Sequence, residues 1–336
     1  MNIQEVRENS KKKMGPYCKS CPVCNGKACF NHIPGPGSKG TVAIRNYEAW
    51  QNIFVKMDTI AENEDIDTSF ELFGKTFTYP IFAGPVGAVA QHYSDAYNDH
   101  TFNEIYVRSC ANSGIAAFTG DGLDASIMEN ATHYIHENGG VGVPTIKPWD
   151  KKTCFQKLDL AKASGAFAIA MDIDAAGLPF LQGRIPPAGR KSQEELKEII
   201  DYAKVPFIVK GIMSVEGAIK AKEAGAKAIV VSNHGGRVLD GTPATASVLE
   251  EIADAMKGQV KILVDGGIRN GTDIFKALAL GADAVIIARP FVNALYGGED
   301  EGIQVFVDTL GNELKNTMMM TGVSSLNQIS KKHIYQ

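Results

Sequence analysis

The distribution of apolar residues divides the chain into two unequal parts. From about Pro80 onward, short apolar runs recur: YPIFAG, GIAAFTG, GVPTI, AFAIAMDI, VPFIVKG, AKAIVVS, VKILVDGG and DAVIIARP. Each has the length of a strand and is nearly continuous in apolar character, as expected of strands covered on both faces. Between most of them lie stretches such as SVEGAIKAKEAGA and NGTDIFKALALGA. In these, Ala, Ile and Leu return every three or four residues, the spacing of a helix with one buried face. Strands and helices alternating eight times predict an α/β fold, a closed (β/α)8 barrel. An open doubly wound sheet shows the same alternation, but no GxGxxG follows an early strand, which disfavours it. Residues up to about Thr41 are instead rich in Cys, Gly, Pro and Lys and end in IPGPGSKG, a composition that breaks regular structure. The chain therefore reads as an irregular cysteine-rich arm over residues 1–41 and a barrel domain over residues 42–336.

In a barrel of this kind the βα loops converge at the C-terminal ends of the strands, and chemistry is expected there. The polar and flexible residues fall accordingly. Gly84, Pro85, Val86 and Gly87 follow the first strand, Thr119, Gly120 and Asp121 the second, and Thr145 and Lys147 the third. Asp172 and Asp174 end the fourth and Lys210 ends the fifth. Ser232 to Arg237 follow the sixth, Asp265 to Arg269 the seventh, and Arg289 the eighth.

VDGGIRNGTD and IIARP place glycines and arginines just before two helix starts. Helix N-terminal N–H groups aided by Arg269 and Arg289 make a phosphate site, although Gly266, Gly267 and Gly281 also suit plain tight turns. Lys210 closes an apolar strand, where a charge needs a partner: an electron-rich ring, a Schiff-base carbonyl, or Asp172 or Asp174. His234, flanked by Gly235 and Gly236, suits proton transfer, and Asp174 as neighbour would raise its basicity and fix its tautomer. Arg237 offers a planar fork to a carboxylate. Together these groups fit a phosphorylated cofactor over the barrel with a small acid above it.

Composition narrows the classes further. The 336 residues are 44% hydrophobic and 21% charged, ordinary for a globular protein, and 34 Lys and Arg against 38 Asp and Glu give a net charge of −4. That argues against a broadly basic nucleic-acid binder. No apolar run approaches the length of a membrane span, and MNIQEVRENSKKKMG lacks the apolar block of a signal peptide, so a cytoplasmic address is expected.

SNHGGRVLDGTPAT, with VPFIVKG before it and ILVDGGIRNGTDIFKALALGADAVIIARP after it, closely resembles the FMN-dependent α-hydroxy-acid oxidase and dehydrogenase family, which includes glycolate and lactate oxidases. The likeness is dense from Val205 to Phe291 and traceable back to Pro80. It implies a TIM barrel holding FMN, with His234 as catalytic base, Asp174 as its partner, Arg237 on the substrate carboxylate and Lys210 against the N1–O2 edge of the flavin. It also implies cofactor contacts from Ala83, Gly84, Val86, Thr119, Thr145 and Asp172. Further contacts are implied from Ser232, His234, Gly235, Asp265, Gly267, Arg269, Ala288 and Arg289.

The reaction implied is oxidation of a small 2-hydroxy acid, lactate- or glycolate-like, to the 2-oxo acid. It proceeds by hydride transfer or after proton abstraction from carbon, with oxygen or a redox partner as electron acceptor. The family commonly forms tetramers, so a homo-oligomer is implied as well. Alternatives are an FMN-dependent isomerase resembling type 2 isopentenyl-diphosphate isomerase, against which the intact His-Gly-Gly-Arg run argues, and a non-enzymatic flavin or metal redox sensor.

Several positions depart from the family pattern. Its N-terminal YYxSG-like stretch, with a substrate-binding tyrosine, is absent. Thr145 and Lys147 stand where the family has the glutamine and tyrosine of QLY. Val86 and Asp172 replace threonines, and Ala288 a glycine. The loop from Asp174 to Lys210 is short, leaving Arg184 and Arg190 as candidates for a further substrate arginine.

The arm carries Cys18-x2-Cys21-x2-Cys24-x4-Cys29, outside that family motif. In a reducing compartment four thiols so spaced point to metal, either Zn²⁺ or a [4Fe–4S] cluster, with free thiols or a labile disulfide as the plainer readings.

Overall fold

The computed structural model describes residues 1–32 and 39–336. Residues 33–38, most of IPGPGSKG, lie outside the described residues. Each of the eight apolar runs holds one barrel strand: β1 (Ile81–Ala83), β2 (Ala116–Thr119), β3 (Val143–Ile146), β4 (Ile169–Asp172), β5 (Phe207–Ile212), β6 (Ala228–Val231), β7 (Lys261–Val264) and β8 (Ala284–Ile287). They pair in parallel in chain order, and β8 closes the barrel on β1. Most of these strands are buried at every position, lumen on one side and helices on the other. The outer helices begin where the sequence supplies a cap: Asp124, Asp150, Ser192, Ser214 and Asn270 each accept a backbone N–H from the first turn.

The lumen is filled by Phe82, Phe118, Ile208, Leu263 and Ile286. Its N-terminal end is plugged by a hairpin, Phe70–Leu72 paired with Lys75–Phe77, turned by Phe73 and Gly74. Phe70 and Phe77 set their rings edge-on to Phe82, at 6.2 and 5.1 Å between centroids, an arrangement aromatic quadrupoles favour. The hairpin closes the lumen at this end, and the polar residues that end the strands lie at the opposite rim.

The arm is not irregular throughout. It opens with a helix, Ile3–Lys13, whose start is a capping box between Asn2 and Glu5. That helix packs on Arg289–Met319, burying Val6. A second helix, Thr41–Gln51, lies against Thr245–Met256 and the His-Gly-Gly turn, with Trp50 fully buried. Among the described residues, no helix is long and apolar enough to cross a membrane.

Candidate active site

The register of β4 on β5 sets Asp172 opposite Lys210, and β5 on β6 sets Lys210 opposite Val230, so the charged ends of neighbouring strands meet at one level of the rim. Lys210 Nζ lies 3.1 Å from Asp172 and 3.5 Å from Asp265, and its side chain is only 3% exposed. Lys147 Nζ approaches the other oxygen of Asp172 at 2.6 Å. Burial alone would raise the Asp172 carboxyl, but Lys147 and Lys210 hold it well below the usual carboxylate range. Burial would likewise neutralise Lys210, and Asp172 and Asp265 reverse that, keeping it a cation. Asp265 is pushed up by burial, against the pull of Lys210 and a hydrogen bond from Ser232. The partners anticipated for Lys210 were Asp172 or Asp174; the structure supplies Asp172 together with Asp265.

His234 Nδ1 lies 3.1 Å from Asp174 Oδ1. With that carboxylate accepting from Nδ1–H, the lone pair is left on Nε2. Burial is the larger influence and lowers the imidazole below its ordinary 6.5, with Asp174 opposing it, so the ring rests neutral and ready to accept a proton. The geometry depends on backbone that few residues tolerate. His234, Gly235 and Gly236 all have positive φ, at 55°, 65° and 81°. A Cβ on Gly236 would stand 2.6 Å from Val42. Strain of this kind persists only where the surroundings over-determine it.

Here the surroundings are the helix Thr41–Gln51. Asn46 exchanges two hydrogen bonds with the side chain of Asn233, at 2.8 and 2.9 Å, and Trp50 Nε1 donates to Gly266 O. On the other side, β5 bulges at Gly211, where a Cβ would meet Asp174 Cβ at 2.6 Å. Only glycine there lets Asp174 reach His234.

A cleft of about 100 Å³ opens above these residues. Of the residues singled out from sequence, Val86, Lys210, His234, Gly235, Arg237, Asp265, Gly267, Arg269, Ala288 and Arg289 line it. Ala83, Gly84, Thr119, Thr145, Asp172, Asp174 and Ser232 are not part of that lining. Ser232 bonds to Asp265 at 2.9 Å and Asp174 to His234, so both act through residues that do face the cleft. Arg237 Nε, Arg289 Nη1, Asp265 Oδ1 and Thr119 Oγ1 are buried with no hydrogen-bond partner among the described residues. Buried polar groups so left predict a polar ligand in reach. Asp172, Asp174 and His234 converge within 4.8 Å, but Lys147 and Lys210 already neutralise that charge, so it is an ion-pair network in its own right.

Three expectations change. Asp121, placed among the chemistry-bearing residues, accepts from Gly122 N, Lys147 N, Trp149 Nε1 and Lys157 Nζ, and so clamps the β2 and β3 loops. The helix Gly271–Ala279 does not offer a free N-terminus for phosphate, because Asn270 caps Asp273 N and Glu313 accepts from Gly271 N. The helix after β8 has no side-chain cap. Arg184 and Arg190 are both exposed, and neither lines the cleft.

Two cleft residues were not legible in sequence, His92 and Tyr93. Tyr93 is buried and within electrostatic reach of Arg237, and the His92 imidazole is pushed down to about 3, by burial first and then by Arg237 and Lys147. The only signal was their place in the loop after β1.

A family model described as FMN-dependent dehydrogenase matches residues 25–184 and 180–336. A peroxisomal (S)-2-hydroxyacid oxidase of Arabidopsis thaliana is 46% identical over 143 residues, 43% of this chain and 39% of that protein. The match thus spans less than half the length of such relatives. An L-lactate dehydrogenase of Alcaligenes faecalis is 28% identical over 90% of this chain and 93% of its own. A Pediococcus acidilactici protein assigned as a lactate oxidase superposes with a TM-score of 0.79 at 27% identity, covering 98% of this chain and 93% of that one.

Proposed function

This chain belongs to the FMN-dependent dehydrogenase family, and from that premise we propose that it oxidises a small 2-hydroxy acid to the 2-oxo acid, with His234 as base. The observation that carries the reading is convergence: a neutral His234 held by Asp174, an arginine with an unsatisfied buried Nε, and a buried ammonium all meet one cleft. The residues present fit FMN. Arg289 with its unpartnered Nη1 and the backbone of Gly266 and Gly267 suit the phosphate end, and Pro85 to Gly87 with Lys210 suit the ring.

Bound FMN supplies the acceptor for the two electrons that leave the substrate carbon. Arg237 binds the substrate carboxylate, its planar fork matching the two oxygens. Tyr93, buried, lining the same cleft and within electrostatic reach of Arg237, would take the part of the tyrosine missing from the N-terminal stretch. His234 Nε2 accepts the substrate proton, and Asp174 stabilises the imidazolium that forms. Lys210, a buried cation lining the cleft, would favour negative charge on a group held beside it. The isomerase and sensor alternatives are not favoured, since the relatives above are oxidases and dehydrogenases.

Anaerobic mixing of the FMN-loaded chain with a panel of 2-hydroxy acids tests the reading. At least one acid should bleach the flavin absorbance, and silence across the panel would remove the proposed reaction. The same assay carries a pH prediction. Only the unprotonated imidazole accepts a proton, and burial lowers its pKa below 6.5. The reduction rate should therefore rise with pH through a limb lying below 6.5 and then level off. A limb centred above 6.5 would assign the proton transfer to another group.

A further inference from the structure

The four clustered cysteines take no part in the chemistry above. All are free thiols, on a turn-rich run pinned to the barrel mouth. Arg269 Nε donates to Cys24 O at 2.5 Å, Cys18 Sγ lies 3.5 Å from Asn293 Oδ1, and Cys29 O closes a turn by accepting from His32 N. Asn293, which Cys18 Sγ approaches, shares a lining with Cys21 and Cys24, and Cys24 lies within electrostatic reach of Cys18, Cys21 and Cys29. Cys18, Cys24 and Cys29 are also in reach of Arg289. Beside them is a cavity of about 270 Å³ whose lining includes Cys21, Cys24 and Asn293 but not Cys18 or Cys29. Arg269 lines both this cavity and the FMN cleft, and so stands between the two.

We propose that Cys18, Cys21, Cys24 and Cys29 bind a [4Fe–4S] cluster next to the Arg269 and Arg289 pair. The two C-x2-C steps match the first part of ferredoxin-type spacing. A tetrahedral zinc site, with Zn–S near 2.3 Å, would bring its sulfurs to about 3.8 Å from one another. Among the described residues no three of these sulfurs lie within 4.8 Å of one another. A cube seats each thiolate on a separate iron, so its ligands stand further apart. Four thiolates and four sulfides outweigh the charge of the irons, and the guanidinium pair complements the resulting anion.

The site goes beyond the oxidation proposed above and stands without it, but the two connect. Each 2-hydroxy acid oxidised releases two electrons and two protons. A cluster cycling by one electron conveys the electrons in two passages to a one-electron acceptor protein, while the protons leave to solvent.

The test is to purify the full chain anaerobically from iron-replete cells and measure iron, zinc, acid-labile sulfide and FMN on one sample. Expected are about four irons and four sulfides per chain, with a paramagnetic reduced-cluster signal after dithionite. Stoichiometric zinc, a disulfide, or four titratable thiols that stay metal-free after reconstitution with iron and sulfide would each overturn the proposal. A Cys21→Ser/Cys24→Ser variant should lose the iron and keep FMN; unchanged iron would overturn the ligand set. Bleaching by a 2-hydroxy acid without iron would sink the cluster alone, and a cluster without bleaching would sink only the oxidation.

Discussion

His234→Ala is expected to retain FMN while the rate of flavin bleaching by a 2-hydroxy acid falls roughly 10²–10⁴-fold, the usual contribution of a positioned general base. The imidazole touches Asp174 through Nδ1 and lines the cleft, so removing it takes away the proposed proton acceptor and leaves Arg269 and Arg289 in place. The backbone at this position is left-handed, with φ of 55°, where alanine is strained. His234→Asn is the companion variant, since Asn tolerates that region. Both should bind FMN, measured by flavin fluorescence, and both should be slow in stopped-flow reduction. Reduction at the parent rate in either would take His234 out of the base role.

Lys210→Met should be the most damaging change elsewhere in the site. The ammonium sits between two buried carboxylates, at 3.1 Å from Asp172 and 3.5 Å from Asp265. Methionine fills similar space and leaves Asp172 with Lys147 alone, and Asp265 with the Ser232 hydroxyl. Breaking a buried pair on one side costs about 3–5 kcal/mol because a charge is stranded. The expected results are a lower Tm and, because the cation also faces the cleft, weaker FMN binding or slower flavin reduction. Denaturant melts of the FMN-free chain separate the first effect from the second. A variant with parent stability, FMN affinity and reduction rate would show that Lys210 neither holds the rim together nor acts on the cofactor.

The two substitutions probe different layers. His234 stands on a loop whose shape is imposed from outside by Asn46 and Val42. Lys210 stands on a strand whose position is set by hydrogen-bonded register. The first should therefore alter chemistry with little change in folding, and the second both together.

The eight strands and the identity of most cleft residues were legible along the chain, because strand and helix periods are local properties and barrel strand ends converge by geometry alone. His234, Arg237, Lys210, Asp265 and Arg289 each follow or end a recognisable apolar run. Contacts between distant segments were another matter. No local pattern marks Gly211 as the residue that admits Asp174, or Asn46 as the partner of Asn233 across 187 positions. Nor does any mark Asp121 as a clamp satisfied by four donors. The same holds for the hairpin that plugs the lumen, whose strands are three residues each, too short for a period. Periodicity and strand-end chemistry thus determined the barrel and its polar rim from sequence alone. Which carboxylate meets which cation, and how the histidine is aimed, was decided only when folding packed remote side chains together, because burial and charge pairing act through space and leave no mark in residue order.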